Sequence, residues 1–220
     1  MQRRVGGLGI VALGAALAAA AWAAPAKPEG PSKAAASSRP ARADSLERHF
    51  KQAEADFLKG RRPAAAAELQ EAAKMLRGLA ARLPEDHQPA LRDCAGELEQ
   101  MGRDLAGPKA RRVTRAQLRE AFARAHYALA ASHQRTASGF WAKKELAAVG
   151  GNLQAAAHHL MRAAAWEGHK LEPARATAAR EANVIGRRLK KGTAVAASKV
   201  GPVIKRLGEE IEAYGRKLEK

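Results

Sequence analysis

The sequence predicts an all-α fold, an antiparallel bundle of about six to seven helices built from a duplicated three-helix unit. Three observations carry this. Hydrophobic residues, many of them alanine, make up 46% of the chain, while aromatic residues make up only 4%. Such small side chains fill a core only where helices approach closely. No alternating run of Val, Ile, Thr or Tyr bounded by hairpin turns occurs, so strands have no signal. Apolar residues instead recur at helical spacing in segments punctuated by glycine and proline.

The N-terminus reads as an export signal. Arg3 and Arg4 precede an apolar, small-residue stretch from Val5 to Ala20, and Ala21-Trp22-Ala23 supplies a cleavage site. Residues 1–23 are therefore expected to be a signal peptide and the mature chain to be periplasmic or secreted; the competing reading is an N-terminal membrane anchor. Removing the leader takes two arginines from the formal charge, 17 − 2 = +15. A strongly basic exported chain points to an anionic envelope surface rather than to nucleic acid, and the competing reading, the simpler one, is that arginine is just the favoured cation of a chain rich in Ala, Arg, Gly and Pro. Residues 24–43, "APAKPEGPSKAAASSRPARA", lack apolar periodicity and read as a disordered linker before a bundle over 44–220.

Helical pattern starts at Asp44, a cap with Glu47 three residues on, and runs to Lys59. "GRRP" breaks it, and a second helix runs from Ala64 to Arg82. "LPEDHQP" ends that one, and Pro89 opens a third reaching Leu105. Thr114 and Gln117 form a capping box, with Val113 and Leu118 as a hydrophobic staple. The fourth helix extends from there to Val149, ended by Gly150-Gly151. Asn152 caps a fifth helix ending near Lys170, and Pro173 opens a sixth ending near Gly192. In the last segment, about 200–219, Val200, Ile204, Leu207, Ile211, Tyr214 and Leu218 follow a heptad spacing. This seam must be covered, either by its own chain or by a homo-oligomer or protein partner.

Two blocks of internal similarity suggest duplication, with repeat halves about 44–107 and 114–192. Aligning Gly60 with Gly151 pairs Phe50 with Trp141, Glu54 with Glu145, Leu69 with Leu160 and Met75 with Trp166. Aligning Pro89 with Pro173 pairs Glu97, Gly102, Arg103 and Leu105 with Glu181, Gly186, Arg187 and Leu189. The first block has an offset of 91 residues and the second one of 84.

The histidines are the main chemical candidates. His126 and His133 fall in an apolar stripe of the fourth helix, but seven residues apart they stand ~10 Å apart along the axis, too far to share one ion. A turn at Gly150-Gly151 brings His133 opposite His169, so a metal or tetrapyrrole-type ligand would be held by His133, His169 and His126. The competing reading is a set of histidines packed at helix interfaces, each with a hydrogen bond satisfied. No H-E-x-x-H, E-x-x-H, C-x-x-C-H, P-loop, G-x-S-x-G or dinucleotide fingerprint occurs. No catalytic residue and no cofactor is assigned. Cys94, the only cysteine, has no partner within the chain and reads as a small buried hydrophobe.

"FLKGRRPAAAAELQEAAKML", echoed by "VGGNLQAAAHHLMRAAAW", resembles the YfdX-type periplasmic helical proteins over about Phe50 to Gly192. The resemblance implies a stress-linked periplasmic protein without settled activity and carries no site residues. The sequence thus points to an exported, non-enzymatic helical bundle with an interaction or scaffolding role, the alternative being a small-ligand or metal carrier.

Overall fold

The structure, a computed structural model, describes residues 33–218, with side chains from Ser45 onward except that of Lys109. The leader expected over 1–23 and the first part of the linker lie outside the described residues. Seven α-helices follow one another: α1 Lys33–Leu58, α2 Arg62–Ala80, α3 Pro89–Ala106, α4 Arg115–Ala142, α5 Leu146–Glu167, α6 Pro173–Lys190 and α7 Ala197–Leu218. Short 3-10 turns, Glu85–His87 and Pro108–Arg111, flank α3. No strand occurs among the described residues, and no helix there is long and apolar enough to cross a membrane. By backbone contacts the chain divides after Ala36, and the unit from Ser37 onward holds the bundle described below. Because α1 begins at Lys33 rather than Asp44, the end of the expected linker is helical.

The turn expected at Gly150-Gly151 lies elsewhere. Helix α4 stops at Ala142, the chain reverses through Lys143–Glu145, and both glycines sit inside α5. The capping box of Thr114 and Gln117 is present as expected. Gly150 is there for contact: a Cβ on it would stand 2.5 Å from the Gly186 carbonyl oxygen and 2.7 Å from the Lys190 nitrogen. In a sequence, a glycine that ends a helix and one that lets two helices touch look alike.

The three-helix unit is duplicated, and a single offset describes it. The turn residue Gly60 has φ 72 and its mate Lys144 has φ 59, with 144 − 60 = 84. The backbone bonds Gly60 N→Phe57 O, Arg61 N→Asp56 O and Arg62 N→Gly60 O recur as Lys144 N→Trp141 O, Glu145 N→Phe140 O and Leu146 N→Lys144 O. At the same offset α1 and α4 end together, α2 and α5 start together, and α3 coincides with α6 at both ends. The buried face of α2 (Ala65, Ala66, Leu69, Ala72, Ala73, Leu76, Ala80) maps onto buried Val149, Gly150, Leu153, Ala156, Ala157, Leu160 and Ala164 of α5. Gly102 lies against Ala66 and Gln70, as Gly186 lies against Gly150 and Gln154. The offset of 91 read from the first block is therefore corrected to 84. The two differ by one heptad, which leaves every residue on nearly the same helix face, so an alanine-rich pattern fits both registers. The backbone turn decides between them.

Consecutive helices run antiparallel, and three of them return the chain at the opposite end, so the second unit is built inverted on the first. Contacts between α1 and α4 show the inversion: Glu47 meets His126 and Glu54 meets Arg119. Helix α7 follows the second unit much as α4 follows the first, and the ion pair Glu97–Arg124 has its counterpart in Glu181–Arg206. Its seam is covered by its own chain: Val200, Ile204, Leu207, Ile211 and Tyr214 are buried, and the half-buried Leu218 packs against the same core. These side chains are thus not available to a homo-oligomer or protein partner, which corrects the second reading of the seam. With one apolar face inward and Lys205, Arg206, Glu209 and Glu212 exposed, α7 closes the array as a terminal cap.

Candidate functional site

Where α1, α4 and α5 meet, a line of polar side chains runs through the apolar core. Helix α1 turns Leu46, Phe50 and Ala53 inward, all fully buried, and places Glu47 on the same side. The Glu47 carboxylate would be expensive to bury alone. It is met by three donors: His126 Nε2 at 2.9 Å and Trp166 Nε1 at 3.2 Å donate to Oε2, and an Arg162 guanidinium nitrogen at 2.7 Å donates to Oε1. Lys51 stands 3.5 Å from Oε1. Burial alone would raise this carboxyl, but the His126 hydrogen bond and charge, the Trp166 hydrogen bond and the Arg162 charge outweigh it and hold it down to about 2.

From His126 the line continues. Its Nδ1 lies 3.0 Å from Nδ1 of His159 on α5, and both rings are buried. The His133 ring lies parallel to that of His159, 2° between planes and 5.6 Å between centroids. His133 Nδ1 is 3.0 Å from Asn152 Oδ1, and the Asn152 amide donates back to the Ala148 carbonyl. The half-buried His158 packs edge-on against His159.

The acceptors fix where the protons sit. A carboxylate only accepts, so His126 carries its proton on Nε2. Burial lowers the pKa of His126 in spite of Glu47, leaving the ring neutral with a bare Nδ1. His159 must then donate from Nδ1. Its own pKa is driven well below the usual histidine value, by burial first and then by the nearby His126, His133, His158 and Arg162. Since the Asn152 amide is committed to Ala148, its oxygen faces His133, which donates from Nδ1.

Aromatic packing closes the carboxylate end. Phe50 and Phe122 stack at 4.3 Å between centroids, and Trp166 meets both edge-on. Arg119 donates to the Trp166 and Ala165 carbonyls at the end of α5, where a cation complements the helix dipole, and its guanidinium lies 5.5 Å from the Trp166 ring centre.

The structure brings together only part of the expected ligand set. His126 and His133 face inward, but His169 lies exposed beyond the end of α5. From Asn152, the partner of His133, the helix still runs to Glu167, ~22 Å further on. Moving the turn from Gly150 to Lys144 puts His159 opposite His126 instead. Among the described residues, no group of three or more His, Cys, Asp or Glu side chains is arranged to hold a metal ion. His159 was not legible as the partner of His126, because that pairing follows from the register of the α4–α5 turn, and Glu47 with its partner Arg162 joins it only through the packing of α1 on α4 and α5. The repeat adds one more pair: His49 Nδ1 lies 2.6 Å from Glu68 Oε2, and these two are the mates of His133 and Asn152. The Cys94 thiol is pushed up to about 12 by burial first and then by Glu97, which keeps it protonated at neutral pH.

No protein-family model, curated protein or solved structure matches this chain. The site is therefore read from its own chemistry.

A second feature lies at the end of the bundle where α1 and α5 finish and α4 begins. Several acids there are engaged inside the fold: Glu54 with Arg115 and Arg119, Asp56 with Arg61, Glu210 with Arg175, and Glu167 as acceptor from the Tyr214 hydroxyl, while Glu212 stays exposed. Arg111, Arg112, Lys170, Arg216 and Lys217 are exposed at this end and form no ion pair among the described residues.

Proposed function

We propose that the chain is a non-enzymatic interaction protein acting outside the cytoplasm, which docks a basic end of the bundle on an anionic surface of the cell envelope. The observation that carries this reading is the excess of cations at that end. Glu54, Asp56 and Glu210 are held in internal pairs and Glu212 stays exposed, while Arg111, Arg112, Lys170, Arg216 and Lys217 project without ion-pair partners among the described residues, so cations outnumber open carboxylates there. Such a field draws polyanions and is screened by salt. The leader-like N-terminus supports the location, and the formal charge of +17 supports the sign of the partner. The alternative, a metal or tetrapyrrole carrier using His133, His169 and His126, has lost its geometric support, since His169 stands apart from the other two.

Vesicle co-sedimentation tests the reading. Vesicles with a third anionic lipid should retain the protein at low salt and release it as salt rises, while neutral vesicles should not bind it. Neutralising Arg111→Gln with Arg112→Gln should weaken binding by about 2 kcal/mol, near 1 per cation removed at the surface. Equal binding to neutral and anionic vesicles, or none to either, would overturn it.

A further inference from the structure

We propose that the Glu47–His126–His159 line is an acid-sensitive junction: closed at neutral pH, it parts α5 from α4 in mildly acidic surroundings and unseats α1 from the pair. Three separate elements meet in it, and its bonds depend on where protons sit. At neutral pH each contact has one donor and one acceptor: His159 Nδ1 donates to His126 Nδ1, and His126 Nε2 donates to Glu47.

A first added proton is tolerated. Taken up on the outer nitrogen of His159, it is relayed along the line as His159 Nδ1–H passes its proton to His126. This leaves an imidazolium against the Glu47 carboxylate. A second proton has no such place. With both rings cationic, the 3.0 Å contact becomes donor facing donor, two positive charges side by side in the core. Every element packed there matters to the balance. Helix α1 brings Glu47 and Lys51, α4 brings His126 and His133, and α5 brings His158, His159 and Arg162. Against one carboxylate stand Lys51 and Arg162 already, so the line holds no spare negative charge for a second imidazolium. Burial opposes charging of both rings, which agrees with the geometry.

The sign follows from linkage. A histidine whose folded pKa lies below its open-state value near ~6.5 takes up a proton on opening. The closed form is fully favoured above that value, and the preference fades as pH falls toward the depressed folded pKa. Each proton so coupled multiplies the opening constant about tenfold per pH unit, and two multiply it about a hundredfold. The repeat supplies the control: the mate of His159 in the first unit is Met75, which packs in the core there, so His159→Met keeps the volume and removes the proton site.

Hydrogen exchange on the full chain at pH 7.5 and 5.5, each normalised to the exchange of unstructured peptides at the same pH, tests this. Protection should fall by at least about tenfold in α1 and in the facing parts of α4 and α5, while α6 keeps its protection; His159→Met should abolish most of the fall. Unchanged protection in α1 at pH 5.5 overturns the proposal. So does an equal loss in every helix, which marks general acid unfolding, or an undiminished loss in His159→Met. Should that variant fail to fold, ring-nitrogen NMR of the wild type decides. His159 observed protonated on Nδ1 at pH 7.5, and titrating together with His126 as α1 opens, supports the junction. An Nε2 tautomer, or titration without opening, overturns it.

Discussion

The place where α5 touches α6 can be tested by adding a single methyl group. In Gly150→Ala the new Cβ would meet two backbone atoms, the Gly186 carbonyl oxygen at 2.5 Å and the Lys190 nitrogen at 2.7 Å, and the Leu189 Cβ at 2.9 Å. These distances fall about 1 Å short of ordinary van der Waals separation. Backbone cannot rotate away as a side chain can, so the two helices must part along the stretch where Gly186 and Gln154 also meet. Overpacking of this kind costs about 1–3 kcal/mol, with this site at the upper end. Against it stands about 1 kcal/mol gained by replacing a mid-helix glycine with alanine. The net expectation is a loss of about 2 kcal/mol. Gly151→Ala is the internal control: it lies in the same helix, a Cβ there meets nothing within 4 Å, and it should gain up to about 1 kcal/mol. Gly102→Ala, the mate of the Gly186 position, should fall between, since its nearest contact is the Ala66 carbonyl oxygen at 3.2 Å. Urea unfolding followed by far-ultraviolet circular dichroism measures all three. If Gly150→Ala and Gly151→Ala were equally stable, α5 would not press on α6 at Gly150. The turn would then belong at Gly150-Gly151, and the 84-residue register would fail with it.

Two further outcomes follow from the same geometry. Lys144 holds φ 59 where its mate is Gly60, so Lys144→Gly should stabilise the chain by about 1 kcal/mol in a thermal or urea melt, and an unchanged or lower stability would contradict the turn. Leu207→Asp places a carboxylate in a position with no solvent exposure and should cost at least about 4 kcal/mol, abolishing the cooperative melt. A seam used between chains would behave otherwise, yielding a folded monomer of lower mass by sedimentation.

The helices themselves were legible in the sequence because they rest on local signals. Pro89 and Pro173 start α3 and α6 as read, and Thr114 with Gln117 caps α4. The duplication was legible too, since Gly102 and Leu105 find Gly186 and Leu189 without gaps. What the residues could not give was register. A slide of one heptad keeps alanine against alanine, and only the positive φ at Lys144 and the bonds around it show where the second hairpin turns. The misplaced turn then misplaced the chemistry, pairing His133 with His169 when its partner is Asn152 and setting His159 aside. Glu47 was read as a helix-start residue, a role its charge also fits. That it reaches across the core to α4 and α5 is a tertiary fact that no local pattern encodes.

The polar line occurs where the two units join and breaks the symmetry of the repeat. At the 84-residue offset Glu47 pairs with Ala131 and His159 with Met75, so an apolar solution to each position exists within the same chain. Buried ionic groups of this kind add little stability compared with well-packed hydrophobes of similar size. A junction built only for strength would gain from alanine and methionine in both units. Retaining one carboxylate, two neutral imidazoles and a guanidinium there instead makes the contact of α1 with α4 and α5 depend on proton count and on a single register. A slip of α1 by one turn, about 5 Å, would draw Glu47 away from His126, Trp166 and Arg162 together. The same side chains that make the junction sensitive to acid thus also fix which way the first unit seats on the second.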